Sequence, residues 1–305
     1  MSDYLTKSVT NDGMFRAYAI TATDTVQEAQ ERHKTWPTAS AVLGRSLVGG
    51  VLLASSVLKG KETMTIKIQG DGPAGMIVVD ADANGNVKGY MHNPNIDIPL
   101  NKHHKLDVGG AVGKNGFMQV MKSLGGNEPY TSEVQLVSGE IGDDFTYYLA
   151  QSEQIPSAVG VSVYVNDDNN IGAAGGYLIQ VMPGASDDAI SKLEKRLKSL
   201  PMISELILSK QKPEDILKLI FGEDNLKILD NMPVQFKCDC SKQKFADKII
   251  GIGSKEIESI IEEDHGAKVV CNFCQNVYDY SEDDLKAMKV LADARKNTKK
   301  DDDKE

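Results

Sequence analysis

The chain has 305 residues, of which 41% are hydrophobic, so it is long enough for one or two globular domains and too apolar to be disordered as a whole. Its formal net charge of -10, without a long cluster of lysine or arginine, argues against binding to a phosphate backbone, and we expect no nucleic-acid partner. The region 1–20 lacks the basic and apolar parts of an export signal, and the longest apolar run, 47–58, is broken by glycine and serine pairs, so we expect a cytoplasmic protein without a membrane partner.

Residues 1–183 are predicted to form one α+β domain in which a mixed sheet packs with helices. A first helix is expected to begin with Asp24 or Thr25 as its N-cap, and a second helix is expected to open at Pro37. The second helix is almost uniformly apolar, so we interpret it as a buried core helix, and we also place Trp36 in the core. Alternating apolar residues and turn signals predict strands at 14–23, 64–68, 75–80, 87–91, 116–121, 133–138, 160–165 and 175–182.

Three short motifs in this domain resemble functional loops, but each lacks a residue or a spacing that the loop requires. The segment 80–85 opens like a calcium loop, but Met91 stands where the bidentate glutamate belongs, so we predict a hairpin turn. The glycine-rich segment 109–114 has the wrong spacing for a phosphate loop and is interpreted as a turn, and Ser46 lacks the second glycine of a nucleophile elbow and is interpreted as a helix residue. Without paired carboxylates or a nucleophile triad, the sequence predicts a protein that is not an enzyme.

Residues 184–231 are predicted to form a helical linker. Ser186 can cap its first helix, Pro201 interrupts the pattern, and a last short helix is expected to begin at Pro213 and to end at Gly222. The first helix has one narrow apolar stripe on a highly charged segment, so it needs a neighbour and its folded state is expected to be marginal. That stripe consists of Ile190, Leu193, Leu197 and Leu200.

The cysteines of the chain form two close pairs near its C-terminal end, Cys238-x-Cys240 and Cys271-x-x-Cys274, separated by a loop of about thirty residues. Two close pairs joined by a loop are typical of a tetrahedral zinc site with four thiolate ligands. We therefore predict a Zn²⁺ cofactor held by the four cysteines in a small domain, 232–290, which a charged tail follows. The thiols of a cytoplasmic protein are reduced at rest, which is the state that binds metal. The tail is predicted at 291–305.

The small domain is expected to depend on its metal, because it is shorter than the roughly 70 to 80 residues below which a core rarely suffices. A structural zinc site contributes about 10 to 16 kcal/mol in small modules, so oxidation of even two thiolates can melt this domain. A disulfide between Cys238 and Cys240 is expected to be strained and readily reduced, because residues two apart in a strand are separated by roughly 6.6 Å. Nearby lysines either hold the thiolates ionised or are ordinary surface charges. These lysines are Lys237, Lys242, Lys244 and Lys268.

Three other interpretations of the cysteines stay open. The metal can serve only as a structural staple, or the domain can be a zinc-ribbon module that binds RNA or a protein. Cys271 and Cys274 can also form the active pair of a thiol oxidoreductase, although no thioredoxin-like pattern surrounds them. His265 lies in the loop between the pairs, and we expect it not to be a ligand because the four cysteines suffice.

The cysteine pattern, at the end of a chain of 33.2 kDa, resembles that of the 33 kDa heat shock protein family. The resemblance runs in order from about residue 5 to residue 290, and the four metal positions match without departure. The N-terminal segments that carry it are Gly70-Asp71-Gly72-Pro73, Gly89-Tyr90, Ser138-Gly139-Glu140-Ile141, Tyr147-Tyr148, Ser152-Glu153-Gln154, Gly175-Gly176-Tyr177 and Met182-Pro183-Gly184-Ala185.

This resemblance implies a redox-regulated, ATP-independent holdase chaperone whose C-terminal zinc-binding domain is the redox switch. The reduced, zinc-bound form is then a poor chaperone. Oxidation forms the disulfides Cys238–Cys240 and Cys271–Cys274, releases zinc, and unfolds the switch domain and the linker. The apolar surface that becomes available binds unfolding client proteins and prevents their aggregation. The resemblance also implies a homodimer in the active state.

Overall fold

The computed structural model describes residues 2–126 and 128–302, with side chains as far as residue 295. The chain folds into two compact units, Met1–Lys237 and Cys238–Glu305. Helices and strands occur in both units, which confirms the predicted α+β class. The strands are β1 (Tyr4–Val9), β2 (Phe15–Thr21), β3 (Thr63–Gln69), β4 (Ile77–Asp82), β5 (Asn86–Met91), β6 (Phe117–Ser123), β7 (Tyr130–Gln135), β8 (Ser157–Val165), β9 (Ile171–Val181), β10 (Lys227–Pro233), β11 (Gln235–Phe236), β12 (Gly266–Val270) and β13 (Val277–Ser281). The helices are α1 (Thr23–His33), α2 (Pro37–Val57), α3 (Val108–Val112), α4 (Gly142–Gln151), α5 (Asp187–Lys198), α6 (Ile203–Leu208), α7 (Pro213–Phe221), α8 (Lys242–Ile252), α9 (Ser254–Asp264) and α10 (Glu282–Asp302).

The strands of the first unit form two sheets. One has the order β10-β1-β2-β9-β8, and the other has the order β11-β5-β4-β3-β6-β7. The short β11 pairs with β5 in parallel, whereas the pairs on either side of β1, β3 and β9 are antiparallel. Strands of both sheets contact α2, so this helix lies in the core of the unit.

Helix α2 is long and apolar enough to cross a membrane by length and composition alone. In its most apolar window, however, 83% of the residues are buried inside the protein. Glycines in this helix allow close packing, since a Cβ atom at Gly49 would lie only 2.4 Å from the ring of Phe145. The prediction of a buried core helix is therefore confirmed.

Two predictions around α1 and α2 are wrong. Helix α1 begins at Thr23, with Ala22 rather than Asp24 or Thr25 at the N-cap position, and Ala22 has no side chain that can cap. Its capping acceptor comes from outside the helix, because the carboxylate of Asp3 accepts hydrogen bonds from the backbone and hydroxyl of Thr25, both at 2.7 Å. Trp36 is 46% exposed, because it precedes the first turn of α2 in an extended conformation rather than lying on the buried face.

The carboxylate of Asp3 is itself buried, and burial raises its pKa although the bonds from Thr25 favour the ionised form. Removal of the acceptor in Asp3→Ala should lower the free energy of unfolding by about 1 to 2 kcal/mol. Asp3→Asn should lower the free energy of unfolding by less, because its amide oxygen still accepts hydrogen bonds from Thr25 and no charge is buried. A raised pKa means that the folded state binds the proton more tightly, so wild-type stability relative to Asp3→Asn should fall as pH rises from 3.8 through the folded pKa.

Urea denaturation of the three proteins at pH 7, and of wild type and Asp3→Asn across the acidic range, measures both effects. Equal losses in the alanine and asparagine variants would show that this carboxylate does not act as a cap.

Several elements of the first unit were not predicted or were misplaced. No strand was predicted at β1 or β10 and no helix at α4, while the strand predicted at 133–138 lies three residues earlier, at Tyr130–Gln135. Most residues of β10 are exposed, so its sequence lacks apolar alternation. Its position is instead decided by pairing with β1, in a register that joins Tyr4 to Pro233.

The three rejected motifs have ordinary structural roles. Asp82 accepts backbone hydrogen bonds from Asn84 and Asn86 at 2.8 and 3.0 Å, which closes the predicted hairpin between β4 and β5. Ser46 lies within α2 and donates to the carbonyl of Val42, as expected for a helix residue. The predicted turn at 109–114 is wrong, because most of this segment belongs to the short helix α3, which the side chain of Asp107 caps.

The linker helices pack against the sheet with the order β10-β1-β2-β9-β8, which we call the first sheet. Ser186 caps α5 and Gly222 ends α7, as predicted. Apolar residues of the three helices pack on β2 and β9, where the rings of Phe15 and Phe221 lie 5.6 Å apart. We call this set the linker cluster; its buried members are Phe15, Ala17, Ala19, Ile179, Leu193, Ile203, Ile216, Leu217 and Ile220.

A polar contact ties the same linker to the strands beside it. The hydroxyl of Tyr4 on β1 donates to Glu214 on α7 at 2.7 Å, and Asn231 on β10 donates to the other oxygen of this carboxylate at 3.2 Å. Burial and the neighbouring carboxylate raise the pKa of Tyr4, so the hydroxyl remains a donor. Docking of the linker therefore combines apolar burial with a small hydrogen-bond network.

Candidate metal centre

The second unit builds its site on a β-hairpin and three helices. Strands β12 and β13 pair in antiparallel register from Gly266 with Ser281 to Val270 with Val277. Helices α8, α9 and α10 pack with this hairpin around a small apolar core. The buried members of that core are Ala246, Ile250, Ile257, Tyr280, Leu285, Met288 and Ala292. Such a small core fits a unit that needs an additional source of stability.

Cys271 and Cys274 lie at the tip of the hairpin, directly after β12 and shortly before β13. The turn is held by the amide of Gln275, which donates to the carbonyl of Cys271 at 2.8 Å, and by the amide of Cys271, which donates to Asn276 at 2.9 Å. Gln275 has a φ of 60°, a left-handed conformation that reverses the chain after the second cysteine. The local turn therefore points both sulfur atoms to one side.

Cys238 and Cys240 come from the segment that leads into α8. The hydroxyl of Ser241 accepts from the amide of Lys244 at 3.2 Å, so the helix is capped immediately after the second of these cysteines. The hydroxyl of Tyr280 on β13 donates to the carbonyl of Lys242 at 2.6 Å and holds the start of α8 against the hairpin. These contacts bring the first pair of cysteines to the second.

The four sulfur atoms lie within 4.8 Å of one another. The Sγ atoms of Cys238 and Cys271 are 3.8 Å apart, and those of Cys240 and Cys274 are 3.3 Å apart. These distances exceed the roughly 2.05 Å of a disulfide bond, so the four cysteines are not bonded to one another in this structure. Zn–S bonds of about 2.3 Å place the sulfurs of a tetrahedral site about 3.8 Å from one another. The spacing of the four cysteines therefore fits a single metal ion of this kind.

The thiols of Cys238, Cys240 and Cys274 do not ionise alike. Burial opposes ionisation of Cys240, but hydrogen bonds from Tyr278 and from the other three thiols lower its pKa to about 7. Burial is the main cause that raises the pKa of Cys274, and it also raises the pKa of Cys238. Of these three thiols, Cys240 therefore loses its proton most readily at neutral pH, and a thiolate is the form that binds metal.

The hydroxyl of Tyr278, 3.1 Å from the sulfur of Cys240, is a contact that the sequence analysis missed. Replacement in Tyr278→Phe removes this donor, which favours the thiolate, so the apparent affinity for zinc at pH 7 should fall by about threefold to tenfold. Competition with a chromogenic chelator measures this affinity. Tyr164→Phe, which changes an exposed tyrosine in the other unit, should bind zinc like the wild type. An unchanged affinity in Tyr278→Phe would show that the hydroxyl does not support the thiolate.

Other residues singled out near the cysteines have different partners. Lys242 pairs with Asp284 at 3.1 Å, and Lys244 pairs with Asp239, so these two lysines are bonded to carboxylates. His265 ends α9, and its Nδ1 atom lies 3.5 Å from Glu282. Among the described residues, the four cysteines form a group that could hold a metal ion. That His265 is not a ligand remains a prediction.

Comparison with known proteins decides the family. The model of the family described as "Hsp33 protein" matches residues 3–281, which includes the sheets, the linker helices and the four cysteines. The chain belongs to the Hsp33 family. The 33 kDa chaperonin of Levilactobacillus brevis is 57% identical to this chain, and the alignment covers 97% of this chain and 100% of the relative. The 33 kDa chaperonin of Lactiplantibacillus plantarum is 59% identical, and the alignment covers 94% of this chain and 97% of the relative.

The fold agrees with a solved Hsp33 structure. The crystal structure of the 33 kDa chaperonin, a heat shock protein 33 homologue, from Thermotoga maritima matches with a TM-score of 0.88 and 34% identity, over 95% of this chain and 99% of that one. The α+β class and the assignment to a chaperone family are thus confirmed. Membership of the Hsp33 family and the clustered sulfurs are consistent with zinc binding, while the ligand role of each cysteine remains a prediction.

Proposed function

We propose that this Hsp33 protein is a redox-regulated holdase chaperone that works without ATP in the cytoplasm. The observation that carries the proposal is the cluster of four sulfurs within 4.8 Å, in a small unit that directly follows the linker and β11 in the chain. In the reduced state Cys238, Cys240, Cys271 and Cys274 hold one Zn²⁺ ion, which stabilises the second unit. The protein then binds clients poorly.

Oxidation removes the metal ligands. With peroxide as the oxidant, four thiolates give up four electrons and form two disulfides, while two molecules of hydrogen peroxide accept these electrons and become four hydroxide ions. We assign the disulfides to the sequence neighbours Cys238–Cys240 and Cys271–Cys274. The sulfur of Cys238 lies 3.8 Å from that of Cys271, and the sulfur of Cys240 lies 3.3 Å from that of Cys274, so each cysteine has a close sulfur outside its assigned pair and pairing between neighbours requires the site to rearrange. This requirement fits activation by oxidation together with mild unfolding.

Loss of the second unit then destabilises the linker. Helices α5 to α7 are short and depend on the linker cluster for stability, because isolated helices of this length are marginal in water. When these helices detach from the first sheet, the apolar residues of β2 and β9 in the linker cluster become accessible to solvent. This surface binds apolar segments of unfolding client proteins and keeps them from aggregating. The active form is expected to be a homodimer.

One sample tests the proposal. Reduced, zinc-loaded protein is treated with peroxide at heat-shock temperature, then with dithiothreitol, while a chelator reports free zinc and light scattering reports aggregation of a denaturing client. We expect zinc release and protection of the client to appear together, and protection to be reversed by the reductant. Release of zinc without a gain in protection would refute the chaperone switch. A salt-sensitive gel shift with RNA would then favour the zinc-ribbon binding module.

A further inference from the structure

The segment directly before the first cysteine adds a strand to the edge of the second sheet. Gln235 and Phe236 pair in parallel with Asn86 and Val87 of β5. The amide of Gln235 donates to the carbonyl of Gly85 at 3.1 Å, and the amide of Lys237 donates to that of Val87 at 2.9 Å. These bonds to alternate residues of one edge are those of a short added β-strand.

Side chains of the added segment alternate as they do in a bound peptide. Val234 and Phe236 are buried, being 6% and 7% exposed, while Gln235 between them is exposed. Arg32 of α1 lies over the ring of Phe236, 5.4 Å from its centroid, and α1 packs on β11. The segment thus fills a groove between the edge of β5 and helix α1, with main-chain bonds on one side and a buried aromatic ring on the other. We call this the β5 groove.

The segment that occupies the β5 groove is short and directly precedes the first cysteine of the metal site. Only two residues of β11 pair with β5, whose strand continues to Met91. Lys237, which makes the last main-chain bond, directly precedes the ligand Cys238. When the residues from Cys238 onward unfold, the segment loses its C-terminal attachment and keeps its N-terminal one, where β10 pairs with β1 and the amide of Val234 donates to the carbonyl of Asp3 at 3.1 Å. Its own pairing with β5 covers two residues, which is too short a strand to be stable by itself.

We propose, on the basis of the function proposed above, that the β5 groove is a client-binding site which the chain's own segment 234–237 occupies in the reduced state. Its ligand is an extended stretch of an unfolded polypeptide that pairs with the outer edge of β5 and places an aromatic or large apolar side chain where Phe236 lies. Main-chain bonds make such binding tolerant of sequence, which suits a protein that holds many different clients. The site is separate from the apolar face that the linker helices cover, because it lies at an edge of the other sheet.

A labelled peptide with the sequence of residues 231–237 is the probe. It is titrated into full-length, reduced and zinc-loaded Phe236→Ala, in which the internal segment has lost its buried ring, and into reduced wild type. We expect the variant to bind the peptide at least about tenfold more tightly while its zinc content is unchanged. The matched control Leu229→Ala truncates an exposed apolar residue outside the groove and should behave like the wild type.

A second peptide tests the main-chain bonds. N-methylation at the positions of Gln235 and Lys237 removes the two donors and keeps every side chain, so affinity should fall by about 30-fold. The unmodified peptide, in excess, should also relieve protection of a client by oxidised wild-type protein, whereas the methylated peptide should not. This competition needs no variant and is informative even if Phe236→Ala does not fold.

Equal binding of the two peptides, or protection that an excess of the unmodified peptide leaves unchanged, would overturn the assignment of the β5 groove. Either result is separable from failure of the holdase proposal, because oxidised wild type without peptide would still suppress aggregation. If oxidised wild type gave no protection at all, the proposed function and this inference would fail together.

Discussion

A Cys271→Ser protein should contain almost no zinc and should have an unfolded second unit, even under reducing conditions. The hydroxyl of serine is a poor zinc ligand, and a structural zinc site contributes about 10 to 16 kcal/mol, which is comparable with or above the roughly 5 to 15 kcal/mol stability of a whole domain. The buried core of this unit is small and cannot replace that contribution. Zinc analysis and hydrogen exchange at 238–295 measure the two effects. We also expect the Cys271→Ser protein to protect a client from aggregation without oxidant.

Asn272→Ala is the matched control for this variant. Asn272 is exposed between the two hairpin cysteines, and its contact to Gln275 uses the backbone carbonyl rather than the side chain. The control should hold zinc and need oxidation like the wild type. If Cys271→Ser lost zinc while its second unit kept slow hydrogen exchange, metal binding would not be what folds the unit, and this step of the proposed mechanism would be wrong.

A Leu217→Asp protein should be active as a chaperone while its zinc site remains intact. Leu217 on α7 is fully buried in the linker cluster, so the substitution removes apolar packing and places a charge without a partner against β2. The two losses together should destabilise docking of the linker by about 4 kcal/mol or more. The linker helices should leave the sheet without oxidation, and the reduced protein should suppress aggregation of a client.

Leu219→Asp supplies the matched control, because it makes the same change on the same helix at a side chain that is 43% exposed. It should dock its linker and remain dependent on oxidation. Limited proteolysis within 184–231 reports linker release, zinc analysis reports the state of the second unit, and light scattering reports activity. If Leu217→Asp freed the linker and yet did not protect the client, the surface under the linker would not be the one that binds clients.

The relation between sequence and fold differs from element to element. Helix α2 was predictable because its near-uniform apolarity favours a buried position, while the glycine and serine pairs within it argue against a membrane span. The start of α1 was not predictable, because its acceptor is Asp3, which lies twenty-two residues before Thr25 in the sequence. Strand β10 has an exposed sequence that favours no element, and pairing with β1 decides its conformation.

The candidate site shows the same division. The spacing of Cys238, Cys240, Cys271 and Cys274 by itself predicted a metal site, because local pairs of thiols on a short loop impose the geometry that zinc needs. The cysteine spacing could not predict the contact between the hydroxyl of Tyr278 and the sulfur of Cys240, although a tyrosine four residues after the last cysteine is a weak signal of such a contact.

The amino-acid sequence was sufficient to predict an acidic α+β chain with a core helix, a helical linker and a four-cysteine module, in an order that resembles one family. Such features rest on composition, periodicity and spacing, which act within a few turns of chain. Three features became apparent in the folded protein alone: the sheet face on which the linker helices pack, the lowered pKa of Cys240, and the position of segment 234–237 at the edge of β5. Those depend on contacts between residues far apart in sequence, and the free energy of such contacts comes from burial and pairing that no local pattern specifies.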